Sequence, residues 1–96
     1  MLNVFNKYPD HAPVILKPID FKLAKTKFLI KKSMTFNQAI SAFRTRNEIL
    51  SNQAYFFFNC NNQLIQSSDT IGNIWALFGN IDKVLYISVR CESTFG

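Results

Sequence analysis

Lys27-Phe28-Leu29-Ile30-Lys31-Lys32-Ser33-Met34-Thr35-Phe36-Asn37-Gln38-Ala39-Ile40-Ser41-Ala42-Phe43 is the stretch in which the apolar period of the chain changes. Phe28, Leu29 and Ile30 form a short apolar run flanked by lysines, which predicts a strand over Lys27–Lys31. Beyond Ser33-Met34-Thr35, Phe36, Ala39, Ile40 and Phe43 recur at i, i+3, i+4 and i+7, one face of a helix. Thr35 followed three residues later by Gln38 is a capping box, so the helix start is well marked. Its end is expected between Arg46 and Glu48, with Gln38, Arg44 and Asn47 on the polar face. A strand that runs into a long amphipathic helix needs a sheet for that helix to cover, and the flanking segments must supply it.

Towards the N-terminus, Met1–Lys7 reads as a short arm. Tyr8-Pro9-Asp10-His11 reads as a turn with His11 exposed, since Pro presets φ and Asp bonds the backbone that follows. Pro13-Val14-Ile15-Leu16 lies in an expected strand over Ala12–Lys17 that Pro18 ends. Ile19–Lys25 carries neither period. Two strands about a dozen residues apart without a clear helix between them favour an antiparallel pair.

Towards the C-terminus, Tyr55-Phe56-Phe57-Phe58 is a continuous apolar run and is expected to be a central strand buried on both faces. Asn59-Cys60-Asn61-Asn62 is turn chemistry. Thr70–Phe78 predicts a second, shorter helix with Ile71, Ile74, Trp75 and Phe78 inward, capped by Ser68 or Asp69 and stopped by Gly79. Trp75 is expected in the core. Val84–Val89 is the last strand. The order predicts an α+β fold, a four-stranded mixed sheet with one long helix across one face and one short helix.

The 96 residues make one domain, 48% hydrophobic with ten phenylalanines. No apolar run approaches the length of a membrane span. Two cysteines, Cys60 and Cys91, make no disulfide framework, and with one histidine a metal site is not expected. Their number fits the reducing cytoplasm. No cofactor motif stands out. One His, six carboxylates and no Gly-rich phosphate loop or nucleophile elbow argue against an enzyme. The formal net charge is +5, and eight of the eleven basic residues lie between Lys17 and Arg46 with Asp20 the only acid among them. That asymmetry suits an acidic partner, and equally a solvated lysine-rich face. No motif of RNA-binding type interleaves aromatics with these lysines, so no nucleic-acid partner is expected. The chain closes on Glu92-Ser93-Thr94-Phe95-Gly96. A terminal glycine without a Cβ suits passage through a narrow enzyme channel, but loose small residues at a terminus are also ordinary.

Taken together, these residues resemble the autophagy ubiquitin-like modifiers of the GABARAP type, autophagy-related protein eight. That family opens with Tyr-Pro-Asp-Arg-x-Pro-Val-Ile, against Tyr8-Pro9-Asp10-His11-Ala12-Pro13-Val14-Ile15 here. Lys27-Phe28-Leu29-Ile30 through Gln38-Ala39 lies in register with its next motif. Arg44 and Arg46 match its Arg-x-Arg, and Asn61-Asn62-Gln63-Leu64 its Asn-Asn-x-Leu. Its ending, Glu-Asn-Thr-Phe-Gly, faces Glu92-Ser93-Thr94-Phe95-Gly96. The family carries two helices ahead of the Tyr-Pro-Asp turn, where Met1–Lys7 stands here. The sister modifier, autophagy-related protein twelve, lacks those helices and has a helix similar to Ile71-Gly72-Asn73-Ile74-Trp75.

The resemblance implies the β-grasp strand order of ubiquitin, with residues 8–91 as the domain and 92–96 as a flexible conjugation tail. It implies a modifier rather than an enzyme, without cofactor or metal, activated at Gly96 with Phe95 presenting the tail. Activating and conjugating enzymes would be its partners, and phosphatidylethanolamine its acceptor, placing it in the cytoplasm and on the autophagosomal membrane once conjugated. The twelve-type alternative ends in an isopeptide bond to a protein lysine, and a β-grasp interaction module needs no tail chemistry. The resemblance further implies receptor peptides that add a strand beside Lys27-Phe28-Leu29. Their aromatic residue would meet Pro13, Ile15, Lys27, Leu29 and Val84, and their aliphatic residue Phe28, Ile30, Met34, Ala39 and Ala42. Lys25, Lys27, Lys31 and Lys32 would favour acidic flanks. Lys31 and Ala39 replace a family proline and phenylalanine.

Overall fold

The computed structural model describes residues 8–47 and 54–92. Six elements follow in order: β1 (His11–Ile19), β2 (Lys27–Lys31), α1 (Phe36–Asn47), β3 (Ala54–Phe58), α2 (Ile71–Phe78) and β4 (Leu85–Glu92). The strands form one sheet in the order β2-β1-β4-β3. β1 pairs antiparallel with β2 and parallel with β4, and β3 pairs antiparallel with β4. This is the mixed sheet expected from the sequence, with the two end strands as central parallel neighbours.

Alternation along the strands decides which side chains are covered. Ala12, Val14 and Leu16 of β1, Ile30 of β2, Phe57 of β3 and Leu85, Ile87 and Val89 of β4 face the helices. They close the core with Phe36, Ala39 and Phe43 of α1 and Ile71 and Ile74 of α2. Phenylalanine rings do much of the filling. Phe28 lies 4.8 Å from Phe43, and Phe57 lies 5.3 Å from Phe36 and 6.1 Å from Phe43, centroid to centroid.

The capping box forms as read. The Thr35 N–H donates to Gln38 Oε1 at 3.0 Å, and the Gln38 N–H donates to Thr35 Oγ1 at 3.2 Å. At the other end of α1, Asn47 does more than sit on a polar face. Its Oδ1 accepts from the Lys25 N–H at 2.7 Å while Nδ2 donates to the carbonyls of Lys25 and Phe43. That clamp anchors the segment leading into β2.

Several expectations are corrected. β1 does not stop at Pro18 but continues to Ile19. The Leu16 N–H points to the β2 side, where it bonds the Thr26 carbonyl at 2.8 Å. By alternation Pro18 turns its missing N–H to the same side, beyond the end of β2, and no ladder bond is lost. β3 is an edge strand rather than a central one. Phe57 is buried, while Phe56 projects to the face away from the helices and is 39% exposed. Thr70, not Ser68 or Asp69, caps α2, its Oγ1 accepting from the Asn73 N–H. β4 runs to Glu92 rather than stopping at Val89, and Cys91 is a strand residue opposite Tyr55. His11 is the first, half-buried residue of β1, not an exposed turn residue. Trp75 is half-buried at the rim, its Nε1–H bonded to the Lys83 carbonyl and Lys32 Nζ 4.2 Å above its ring.

Two glycines allow close approaches. A Cβ at Gly79 would lie 2.5 Å from the Trp75 carbonyl oxygen, so glycine is what lets the chain leave α2 there. A Cβ at Gly72 would lie 3.0 Å from Lys32 Cβ, where α2 packs on the β2–α1 turn. That packing is hydrogen-bonded: Gly72 N–H to the Lys32 carbonyl and Ile71 N–H to the Met34 carbonyl. The turn carrying Lys32 and Met34 is thereby held against α2.

Candidate functional site

The free edge of the sheet is β2. Lys32 N–H bonds the Asp10 carbonyl and Leu16 N–H the Thr26 carbonyl, so residues 26, 28, 30 and 32 turn their backbone towards β1. Lys27, Leu29 and Lys31 therefore turn theirs outward. The Lys31 carbonyl is taken by the Met34 N–H at 3.1 Å. The N–H and C=O groups of Lys27 and Leu29 have no strand beside them among the described residues. An edge of this kind is a template for one more strand.

Around that edge lies a cavity of about 510 Å³, lined by His11, Lys25, Lys27, Phe28, Leu29, Ile30, Lys31, Met34, Ala42 and Arg46. Its apolar floor is built from both elements that meet at the capping box: Phe28 and Ile30 on the helix side of β2, Met34 in the turn, Ala42 on α1. Its rim carries four cations, Lys25, Lys27, Lys31 and Arg46, with no carboxylate among the lining residues. Such a rim attracts acidic ligands and speeds their encounter. His11 also lines the cavity; its Nδ1 is buried without a hydrogen-bond partner, and its ring meets Tyr8 edge-on.

The residues expected around an aliphatic side chain are thus largely brought together. Phe28, Ile30, Met34 and Ala42 line the cavity. Ala39 does not, being completely buried in the core. A helix turn separates its role from that of Ala42: Ala39 packs inward beside Phe36 and Phe43, and Ala42 is half-buried at the rim. The residues expected around an aromatic side chain share the opposite face of the sheet. Pro13 pairs with Leu29 and Ile15 with Lys27. Leu29 is 38% exposed, Ile15 half-buried and Pro13 buried. Val84, just ahead of β4, is buried but outside the core cluster. Gly96 and Phe95 lie outside the described residues.

Sequence reasoning missed His11 and Arg46 as members of the cavity. Arg46 had a signal, since it stands four residues after Ala42 and so on the same helix face. His11 had none, because a turn and the start of a strand read alike there. Among the described residues no cluster of His, Cys, Asp and Glu could hold a metal, and no helix is long and apolar enough to cross a membrane.

The model of the autophagy protein Atg8 ubiquitin-like family matches residues 2–96, nearly the whole chain. The chain belongs to the Atg8 family. Among solved structures, the crystal structure of Trypanosoma brucei ATG8 matches with a TM-score of 0.86 and 27% sequence identity. The match covers 99% of this chain and 84% of that one. No curated protein matches. The Atg8 family and the fold together make this chain an autophagy ubiquitin-like modifier.

Proposed function

We propose that this Atg8-family chain is conjugated through Gly96 to phosphatidylethanolamine and that its β2 edge receives receptor peptides. The observation that carries the second part is the outward backbone of Lys27 and Leu29 beside an apolar, cation-rimmed cavity. A receptor segment laid along β2 forms main-chain bonds with Lys27 and Leu29, as in other strand-addition complexes. Its aliphatic side chain enters between Phe28, Ile30, Met34 and Ala42. Its aromatic side chain meets Pro13, Ile15, Lys27, Leu29 and Val84 on the other face. Acidic flanking residues meet Lys25, Lys31, Lys32 and Arg46.

In the conjugation step ATP adenylates the Gly96 carboxylate with loss of pyrophosphate. The cysteine thiolate of an activating enzyme displaces AMP to form a thioester, and exchange passes the acyl group to the cysteine of a conjugating enzyme, freeing the first thiolate. The amine of phosphatidylethanolamine attacks the thioester carbonyl, the thiolate leaves, and an amide remains. The chain supplies only the carboxylate, which is why it needs no catalytic group of its own. The modifier would then divide between the cytoplasm and the autophagosomal membrane.

The test is a reconstitution with activating and conjugating enzymes, ATP and phosphatidylethanolamine vesicles, read by intact mass. The expected product is wild type carrying one phospholipid, with none for a Gly96 deletion. An adduct of roughly domain size or larger would instead mark an isopeptide to a protein lysine. No adduct under any enzyme set would leave the peptide-binding edge as the only function.

A further inference from the structure

On the sheet face away from the helices, β4 and its neighbours place rings and cations in alternation. In register across the strands, Ile15 stands beside Tyr86, Ser88 stands between Lys17 and Phe58, and Arg90 between Ile19 and Phe56. Lys17 Nζ lies 4.7 Å from the Tyr86 ring centroid, and the Arg90 guanidinium 5.9 Å from that of Phe58. Ser88 is the small residue at the centre, so the surface dips between Lys17 and Phe58. Phe56 and Phe58 are two residues apart on one face, roughly 6.8 Å along the strand. At the Tyr86 end the face runs into a hollow of about 420 Å³ lined by Lys17, Cys60, Phe78, Gly79, Asn80 and Tyr86.

We propose that this face binds single-stranded RNA, with bases stacked on Phe56 and Phe58, phosphates held by Arg90 and Lys17, and a further base in the hollow beside Tyr86 and Asn80. Rings spaced along a strand and interleaved with cations are what a sequence-tolerant single-strand site needs. The hollow falls within the size range of small-molecule sites, and the Asn80 side chain carries both a donor and an acceptor for a base edge. The carboxylate at this end, Asp82, is already engaged: its Oδ2 accepts from the Tyr86 hydroxyl at 2.5 Å and its Oδ1 from the Val84 N–H at 3.0 Å. That bond also holds the Tyr86 phenol above its ordinary value. Net charge +5 supplies the attraction for a polyanion. The sequence carried no RNA-binding motif because these residues come from three strands far apart in the chain. The hollow shares no lining residue with the cavity at the β2 edge, and Ile15, which stands beside Tyr86, is where this face meets that edge.

The test is fluorescence anisotropy of a labelled oligouridine of about 12 nucleotides against the full chain. Wild type should bind, and Phe56→Ala with Phe58→Ala together should weaken binding about tenfold or more. Arg90→Gln and Lys17→Gln, exposed charges that leave the core untouched, should each weaken binding and lower the salt slope by about one. All these variants should keep their circular dichroism and their affinity for β2-edge peptides. The proposal is overturned if wild type shows no binding in the micromolar range. It is also overturned if Lys27→Gln with Lys31→Gln abolishes binding while the face variants do not. Loss of binding to anionic phosphatidylserine vesicles in the face variants, with no oligonucleotide bound by wild type, would assign the face to membrane and overturn it equally.

Discussion

The two edges of the sheet carry strands of equal length and opposite fates. β2 and β3 each span five residues and each pair on one side only. At β3 the chain folds back to close its own edge: Ile65 N–H donates to the Phe57 carbonyl at 3.0 Å, Leu64 bridges to Phe58, and Asn59 N–H reaches the Gln63 carbonyl. Asn59 makes that return possible, its side-chain Oδ1 accepting from the N–H groups of Asn61 and Gln63 while Asn62 takes a φ of 61°. At β2 no such return exists among the described residues, and lysines stand where a seal would be. Aromatic strands without charge are the ones that aggregate when left open, so the chain seals the edge strand that has no cation and leaves open the one that has two, Lys27 and Lys31. Charge, rather than strand length, distinguishes the open edge from the sealed one.

The contrast can be broken at four positions, taken in falling order of expected cost. Phe57→Ala removes a buried ring that touches Phe36 and Phe43 and should cost about 3–5 kcal/mol in urea denaturation. Ile65→Pro removes the N–H that seals β3 and leaves the Phe57 carbonyl unpaired. It should cost about 1–3 kcal/mol and produce more self-association than wild type by light scattering. Asn47→Ala releases the Lys25 segment and should cost about 1–2 kcal/mol, with faster amide exchange at Lys25 than anywhere in β3. Leu29→Pro should be nearly silent in stability, under about 1 kcal/mol, because the N–H it deletes faces outward. Yet it should weaken a β2-edge peptide about tenfold or more by removing a main-chain bond. A Leu29→Pro variant that unfolds, or one that binds peptide normally, would erase the distinction between the two edges.

How far the sequence carried depended on whether a feature is local. The capping box of Thr35 and Gln38, the helix face of Phe36, Ala39 and Phe43, and the Asn-rich turn are all written within a few residues, and all were legible. The edge position of β3 was not, because three consecutive phenylalanines read as burial on both faces when only Phe57 is buried. Whether Phe56 and Phe58 are covered depends on whether a second layer packs on their face of the sheet, a long-range fact without a local signature. Pro18 misled for the same reason: whether a proline ends a strand depends on which side its missing N–H faces. The apolar floor of the cavity was readable by resemblance, but Ala39 was misassigned because one helical turn separates a core position from a rim position.

Backbone amide NMR of the full chain during titration with an acidic aromatic–aliphatic peptide tests the open-edge account most directly. The expected result is large shifts and slowed exchange at the amides of Lys27, Leu29 and Lys31, with those of Phe56, Phe57 and Phe58 unmoved. Shifts concentrated in β3, or side-chain shifts without protection of the Lys27 and Leu29 amides, would contradict it.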